Sequence, residues 1–196
     1  MPQTARKLTP ENLQFTYEDY LLLPDDGKRY EIIEGELFMT PAPIIKHQNV
    51  LRELGKHIDN FVVTHNLGIV FLAPCDVILS KTNIVQPDII FISKENRVMI
   101  KEKNIQGAPD LLIEITSPNT KERDLVLKKK LYAKFGVKEY WIVFMQEEMV
   151  KIWKLEDDAI ILDGVFEKQD ILKSSLVKGL EIKLSEVFRE MEDYFS

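Results

Sequence analysis

The sequence is poor in cysteine, in long apolar runs and in linker-like composition, and it has no excess of positive charge. Its single cysteine, Cys75, cannot form a disulfide within the chain, which favours a reducing, cytoplasmic setting. No run approaches the roughly 18 apolar residues of a membrane span, so we expect no membrane segment. Without a Gly/Ser-rich or Pro-rich linker, residues 1–196 are predicted to form a single domain, and 45% hydrophobic content provides for a sizeable core. A net charge of −6 argues against broad nonspecific affinity for DNA.

Two short segments each have one carboxylate inside an apolar run. Asp88 lies in residues 85–92 and Glu114 in residues 110–117, and both segments are typical of strands buried on both faces. Burying an unpaired carboxylate costs roughly several kcal/mol, so two of them indicate a bound positive charge, either a metal ion or a buried lysine. For Asp88, which follows Pro87, a position at the end of the sheet is an equally good interpretation. Glu114 is mid-strand, where that alternative is weaker.

A lysine occupies an equally unusual place in the helix that follows. Residues 119–135 are rich in helix formers and start with an N-cap pattern, so a helix is predicted there. Its apolar stripe, at about 100° per residue, comprises Leu125, Leu131, Tyr132 and Phe135. Lys128 falls inside this stripe, whereas Lys129, Lys130 and Lys134 fall on other faces. A helix packed back on the sheet would aim Lys128 at the acids, unless its ammonium group extends past its apolar neighbours to water.

An Asp, a Glu in the next strand and a Lys form the residue set of metal-dependent phosphodiester cleavage. Asp88 and Glu114 would hold Mg²⁺, with Mn²⁺ as an alternative, because hard divalent cations prefer carboxylate oxygens and retained waters. The metal lowers the pKa of a bound water and offsets charge on the phosphate. Lys128 would orient the attacking water or stabilise the developing negative charge. These three residues are therefore the predicted catalytic set.

The spacing from Pro87-Asp88 to Glu114 resembles the PD-(D/E)XK nuclease superfamily, with Thr116 where the motif of that superfamily has lysine. A closer resemblance, over about residues 13–190, is to a large bacterial family of restriction-endonuclease-like proteins. It is carried by residues 29–37, 86–89, 108–115, 117–120 and 139–143, together with Arg123-Asp124, Lys128, Tyr132 and Gly136-Val137. In that family the motif lysine has moved to the following helix, and Lys128 is the matching position. The resemblance implies a restriction-endonuclease-like fold and activity on DNA.

Two further residues are candidates for the same site. Glu31 begins the first predicted hairpin, and in many nucleases of this superfamily an additional early acid completes the metal site; the alternative is a solvated acid at a strand edge. His47 lies three and four residues before Val50 and Leu51, which places it on the core side of its helix. It is either a buried, hydrogen-bonded core histidine or a partner of the catalytic carboxylates.

Positive charge is concentrated in one segment. Seven basic and two acidic residues give residues 121–138 a net charge of +5, against −11 for the rest of the chain. Such a run is either a solvated helix face or a surface that meets phosphates beside the active site. The predicted nucleic-acid contacts are Lys121, Arg123, Lys129, Lys130 and Lys134. Because cutting both strands of a duplex is most simply done by a two-fold dimer, we also expect a homodimer.

The remaining sequence predicts a mixed order of strands and helices. The predicted elements are helices at 17–23, at 47–63 and from Ser185 onward, a hairpin at 30–39, and strands at 69–79, 84–92, 140–144, 150–155 and 158–166. The predicted fold class is α/β with mixed α+β character, a restriction-endonuclease-like central mixed β-sheet flanked by helices. The predicted function is a Mg²⁺-dependent DNA endonuclease. The alternatives are a non-catalytic nuclease-fold protein for binding or assembly, and a hydrolase of small phosphoesters with a closed pocket.

Overall fold

The structure, a computed structural model, describes residues 14–40, 42–117, 120–157 and 159–190 and residue 195. The helices in these ranges are α1 (Tyr17–Tyr20), α2 (Ile45–Thr64), α3 (Lys129–Phe135) and α4 (Leu184–Val187), with a 3-10 helix at Lys94–Met99 and a π-helical turn at Arg123–Lys128. The strands are β1 (Arg29–Ile33), β2 (Glu36–Thr40), β3 (Gly68–Leu72), β4 (Val77–Ser80), β5 (Asn83–Val85), β6 (Ile89–Ser93), β7 (Ile105–Gln106), β8 (Leu111–Thr116), β9 (Glu139–Phe144), β10 (Met149–Glu156), β11 (Ala159–Glu167), β12 (Ile171–Lys173) and β13 (Glu181–Lys183).

Two sheets carry the fold of the described residues. The larger has the strand order β11-β10-β9-β8-β6-β3, and its neighbours are antiparallel except for the pair β8 and β9. The smaller has the order β2-β1-β5-β4-β7, with β4 and β7 parallel and the other pairs antiparallel. β12 and β13 form a separate antiparallel pair. The helical segment that includes α3 joins β8 to β9, because parallel neighbours need a long crossover connection.

Two prolines divide segments that the sequence predicts as continuous strands. Residues 69–79 contribute to β3 in the larger sheet and to β4 in the smaller, with Pro74 between them. Residues 84–92 divide in the same way into β5 and β6 around Pro87. Proline has no N–H for a strand ladder, so the pairing stops there and the chain crosses from one sheet to the other. Asp88 consequently lies in the link between the sheets and not within a strand.

The larger sheet is covered on both faces, and alternate residues of β8 show the division. Leu111, Ile113 and Ile115 pack into a hydrophobic core with α2. Leu112 packs into a second core with α3 and the smaller sheet. Glu114 points to the same side as Leu112, because side chains alternate along a strand. A carboxylate is therefore buried in the layer between the larger sheet and α3.

The helix that carries Lys128 contains an irregular turn. Arg123–Lys128 forms a π-helical turn, and α3 continues from it to Phe135. The helix is capped by Gly136, whose φ of 85° is the left-handed conformation that favours glycine. The predicted N-cap, Asn119, lies outside the described residues. A π-helical turn pairs residue i with i+5, so residues five apart lie above one another, as residues four apart do in an α-helix.

These observations confirm the predicted fold class, a mixed α+β architecture with mixed sheets flanked by helices. The last helix differs from its prediction: α4 begins at Leu184, before the predicted cap Ser185, and ends at Val187. No helix among the described residues is long and apolar enough to cross a membrane.

Candidate active site

A buried lysine joins three acidic side chains from different parts of the chain. Lys128, at the end of the π-helical turn, is 1% exposed. Its Nζ lies 2.7 Å from Oε1 of Glu31, 2.8 Å from Oε1 of Glu114 and 4.0 Å from Oδ1 of Asp124. Glu31 comes from β1, Glu114 from β8 and Asp124 from the same π-helical turn as the lysine. The charge that the sequence places in an apolar stripe is therefore the counter-ion of buried carboxylates.

Hydrogen bonds fix the orientation of both glutamates. The backbone N–H of Gln86 donates to Oε1 of Glu31 at 2.8 Å. The hydroxyl of Tyr132 donates to Oε1 of Glu114 at 2.7 Å, the same oxygen that accepts from Lys128. Tyr132 is fully buried, as its place in the apolar stripe predicts. Burial of the two carboxylates costs less in free energy because each accepts a hydrogen bond and contacts a cation.

Asp88 is held by other partners, on the link between the sheets. Its Oδ2 accepts from the backbone N–H of Ile115 at 2.8 Å and lies 3.2 Å from Nε2 of His47, near the start of α2. Nη1 of Arg29 lies 3.7 Å from its Oδ1. Burial alone would raise the pKa of Asp88, but the contacts with His47, the N–H of Ile115 and Arg29 outweigh burial and lower it. Asp88 is therefore an anion at neutral pH.

Around Lys128, the acidic groups outnumber the cation, and this changes their proton affinities. Burial raises the pKa of Glu114 to about 8, with Lys128 opposing the rise and the neighbouring carboxylates reinforcing it. Burial also raises the pKa of Asp124, against the attraction of Lys128 and Arg123. For Lys128, burial alone would lower the pKa, but the three carboxylates raise it. At neutral pH the lysine is thus charged while Glu114 retains most of its proton.

Asp88 and Glu114 each keep one carboxylate oxygen uncommitted. Oδ1 of Asp88 and Oε2 of Glu114 accept no hydrogen bond from the described residues. Within the described ranges, no three His, Cys, Asp or Glu side chains form a group that could hold a metal ion. Mg²⁺, however, is commonly bound through one or two carboxylates, with waters and substrate phosphates completing its coordination. Two free oxygens on two anchored carboxyl groups fit that donor set.

A cleft of about 440 Å³ lies beside Asp88. Its lining includes the charged or titratable residues Arg29, Lys46, His47, Asp88, Arg123 and Asp124, with the apolar residues Pro43, Ile44, Ile115 and Met145. A second cavity, of about 270 Å³, shares Arg29, His47 and Asp88 with it. Of the predicted catalytic residues, Asp88 and His47 thus line the cleft, while Glu31, Glu114 and Lys128 are buried and outside the described lining.

The four predicted nucleic-acid-binding lysines do not gather at the cleft. Lys130 and Lys134 are exposed, and none of the four belongs to the described lining. The side-chain contacts of these lysines include Lys121 with Glu147, Lys129 with the ring of Trp153 at 5.2 Å, and Lys134 with Glu34 at 3.7 Å. The structure therefore spreads these lysines around the helix.

Arg123 differs from these lysines because the π-helical turn directs it inward. Arg123 and Lys128 are five residues apart, which is about 140° around an α-helix but stacked in an i to i+5 turn. The Arg123 guanidinium lies 3.5 Å from Oε2 of Glu31 and 3.9 Å from Oδ1 of Asp124. Its side chain is 13% exposed. Arg123 therefore stands beside the Lys128 cluster as well as at the cleft.

Sequence reasoning does not single out Asp124 or Arg29 as members of this site. A signal exists for both: Asp124 precedes Lys128 by four residues on a helix, and Arg29 precedes Glu31 by two residues on the same side of a strand. Both spacings are common on solvated surfaces. Only the fold shows that these two pairs face the same cluster.

The fold and this cluster can be compared with known proteins. The model of the Uma2 family, described as a putative restriction endonuclease, matches residues 17–185, which is most of the chain. The chain belongs to the Uma2 family. This confirms the resemblance drawn from the sequence. The Uma2 match includes every residue of the cluster, from Arg29 to Tyr132.

A solved structure has the same fold. The Uma2 chain is similar to a putative nuclease from Anabaena variabilis ATCC 29413, with a TM-score of 0.73 and 21% sequence identity, covering 88% of this chain and 97% of that one. At this identity the likeness shows the fold alone. No curated protein matches the sequence.

Proposed function

We propose that this Uma2 protein is a Mg²⁺-dependent endonuclease that hydrolyses phosphodiester bonds of DNA. The observation that carries the proposal is the buried Lys128, in contact with Glu31 and Glu114 and within the same layer as the cleft acid Asp124. Buried ion pairs are often no more stabilising than apolar side chains of the same volume, so a cluster of this kind favours a role in function. Membership of a family described as a restriction endonuclease supports nucleic acid as the substrate.

In this proposal Asp88 and Glu114 hold the metal through their uncommitted oxygens, Oδ1 and Oε2. When bound, Mg²⁺ supplies a water of lowered pKa and offsets charge on the phosphate. His47 and the N–H of Ile115 keep Asp88 oriented through its other oxygen, and Tyr132 does the same for Glu114. Anchored ligands of this kind need little reorientation when the metal arrives, and Glu114 then releases its proton.

In this proposal Lys128 acts on the attacking water or on the phosphate. Its ammonium group has three N–H donors, and the contacts with Glu31 and Glu114 occupy two of them. The third remains for a water molecule or a phosphate oxygen. In hydrolysis, water adds to phosphorus, the bond to one sugar oxygen breaks, and that oxygen takes up a proton; a fixed cation stabilises the charge that develops meanwhile.

Cleavage of supercoiled plasmid by purified protein tests the proposal. Wild type should nick or linearise the plasmid with Mg²⁺ or Mn²⁺ and not with EDTA. Asp88→Asn and Glu114→Gln keep the side-chain shape but remove the charge, and each should lower the rate by more than the roughly 10- to 100-fold typical of outer partners of metal ligands. The matched control is Glu102→Gln, an exposed acid, which should cleave as wild type does.

Three outcomes would contradict this function. Cleavage that persists in EDTA, or at full rate in Asp88→Asn, would remove the metal site from the mechanism. A wild-type protein that binds DNA in an anisotropy assay but cleaves neither plasmid nor a matched RNA would favour the alternative, a non-catalytic protein with a nuclease fold.

A further inference from the structure

The guanidinium group of Arg29 lies near a carboxylate without a hydrogen bond to it. Its nearest acidic oxygen, Oδ1 of Asp88, is 3.7 Å away, which is too far for a hydrogen bond. Its Nε is buried, yet no described residue accepts a hydrogen bond from it. A buried N–H without an acceptor is costly, and a guanidinium has five such donors to satisfy. The side chain is 21% exposed, so its remaining donors are open to a ligand in the cleft.

Arg123, the other arginine of the cleft, is held more firmly. It donates to Oγ1 of Thr40 at 3.4 Å and lies 3.5 Å from Glu31, and its guanidinium is 5.7 Å from the ring of Phe38. Thr40 is also the partner of Arg29 across the β1–β2 ladder. The two arginines therefore approach the same threonine. The Nε of each is buried without a described acceptor, but only Arg123 donates a described side-chain hydrogen bond.

The charge of the cleft indicates what an unused guanidinium would bind. The cluster holds four acids (Glu31, Asp88, Glu114 and Asp124) against three permanent cations (Arg29, Arg123 and Lys128). Under the proposed function a divalent ion would share Asp88, and Arg29 would then lose part of its attraction to that carboxylate. A planar guanidinium fork matches the oxygens of a phosphate group, to which it can donate two hydrogen bonds at once.

We propose that Arg29 is a substrate-binding catalytic residue, whose guanidinium exchanges its loose contact with Asp88 for the non-bridging oxygens of the phosphodiester in the cleft. This inference rests on the proposed nuclease function and adds to it the residue that holds the phosphate. Arg123, already anchored, lies beside Arg29 as a fixed second positive charge.

The test measures phosphate binding apart from cleavage. In EDTA, inorganic phosphate should raise the thermal unfolding midpoint of wild type and of Arg97→Met, an exposed arginine of the 3-10 helix used as the control. Arg29→Met should lose this rise, and Arg29→Lys, which keeps the charge without the fork, should show a smaller one. In single-turnover cleavage of DNA, Arg29→Met should be about 10- to 100-fold slower than wild type at low DNA concentration, with Arg29→Lys between them.

The results separate this inference from the function on which it rests. No effect of phosphate on wild type, or an equal effect on Arg29→Met, would overturn the role of Arg29 even if the protein cleaves DNA. Loss of the phosphate effect in Arg29→Met with no cleavage by wild type would support the phosphate site and reject the nuclease. The unfolding temperature of Arg29→Lys without phosphate shows whether its fold is intact. If Arg29→Met folds poorly, the smaller phosphate effect expected for Arg29→Lys still tests the role of Arg29.

Discussion

Replacing Lys128 by Met tests whether the buried cation is needed to hold the acids in place. Methionine is of similar length and apolar, so the variant removes the charge without leaving a large cavity. What remains is Glu31 and Glu114, whose Oε1 atoms lie 2.7 and 2.8 Å from the position of the lost ammonium group. Arg123, 3.5 Å from the other oxygen of Glu31, is then the nearest cation described.

Removing one partner of a buried ion pair costs about 3–5 kcal/mol, because the other charge is left uncompensated. For Lys128→Met the loss in free energy of unfolding at pH 7 should be near the lower end of this range. The reason is that the pKa of Glu114 is about 8, so most of that carboxyl group is already neutral. The penalty should grow above pH 8, where Glu114 ionises, and shrink towards pH 5, where the other acids begin to take up protons.

Urea unfolding of four proteins provides the measurement: wild type, Lys128→Met, Glu114→Gln and the double variant. We expect the double variant to recover at least about 1 kcal/mol relative to the sum of the single changes, because its amide needs no counter-ion. Lys130→Met, on the exposed side of the same helix, is the matched control and should stay within about 0.5 kcal/mol of wild type. A Lys128→Met protein as stable as the control at pH 8, with no coupling to Glu114, would refute the counter-ion role.

The other predictions concern pH, salt and assembly. Because the pKa of Glu114 in the folded chain, about 8, exceeds its usual 4.5, the folded state binds more protons, so the stability of wild type should fall as pH rises from about 4.5 to 8. Urea midpoints across this range should be flatter for Glu114→Gln, and an equal slope would contradict the assignment. Replacing Lys129 and Lys130 by Ala should weaken DNA binding and reduce its salt slope by about one unit per lost phosphate contact, measured by anisotropy at several salt concentrations; an unchanged slope would exclude both from the DNA surface. Light scattering should give about twice the chain mass of 22.8 kDa, whereas the single-chain mass would reject the homodimer.

Local periodicity was enough to place part of the cluster. The helical stripe put Lys128 and Tyr132 on the inner face, and strand alternation put Glu114 on one side of β8 with Leu112. Such assignments depend only on neighbours a few residues away, so they can be made without knowing the fold. The buried, hydrogen-bonded His47 follows in the same way from its helix face.

Pairing between distant segments could not be predicted in this way. Each predicted strand around Pro74 and Pro87 divides between two sheets, a choice that depends on which partners compete for the two halves. Arg29 joins the site only because β1 pairs with β2 and β5 and thereby faces Asp88. The basic segment predicts Arg123 only as a nucleic-acid contact, whereas the π-helical turn brings it to Glu31.

The π-helical turn also constrains the length of the chain. Deleting one residue between 123 and 128 would let this segment close into a regular α-helix, which is the more stable backbone, yet it would change which side chains precede Lys128 by one turn. Inserting one residue there would also change which side chains lie one turn before Lys128. The contact between Arg123 and Glu31 therefore depends on the number of residues from Arg123 to Lys128 as much as on their identities. A homologous chain with a one-residue gap there would need an arginine at another position to contact Glu31.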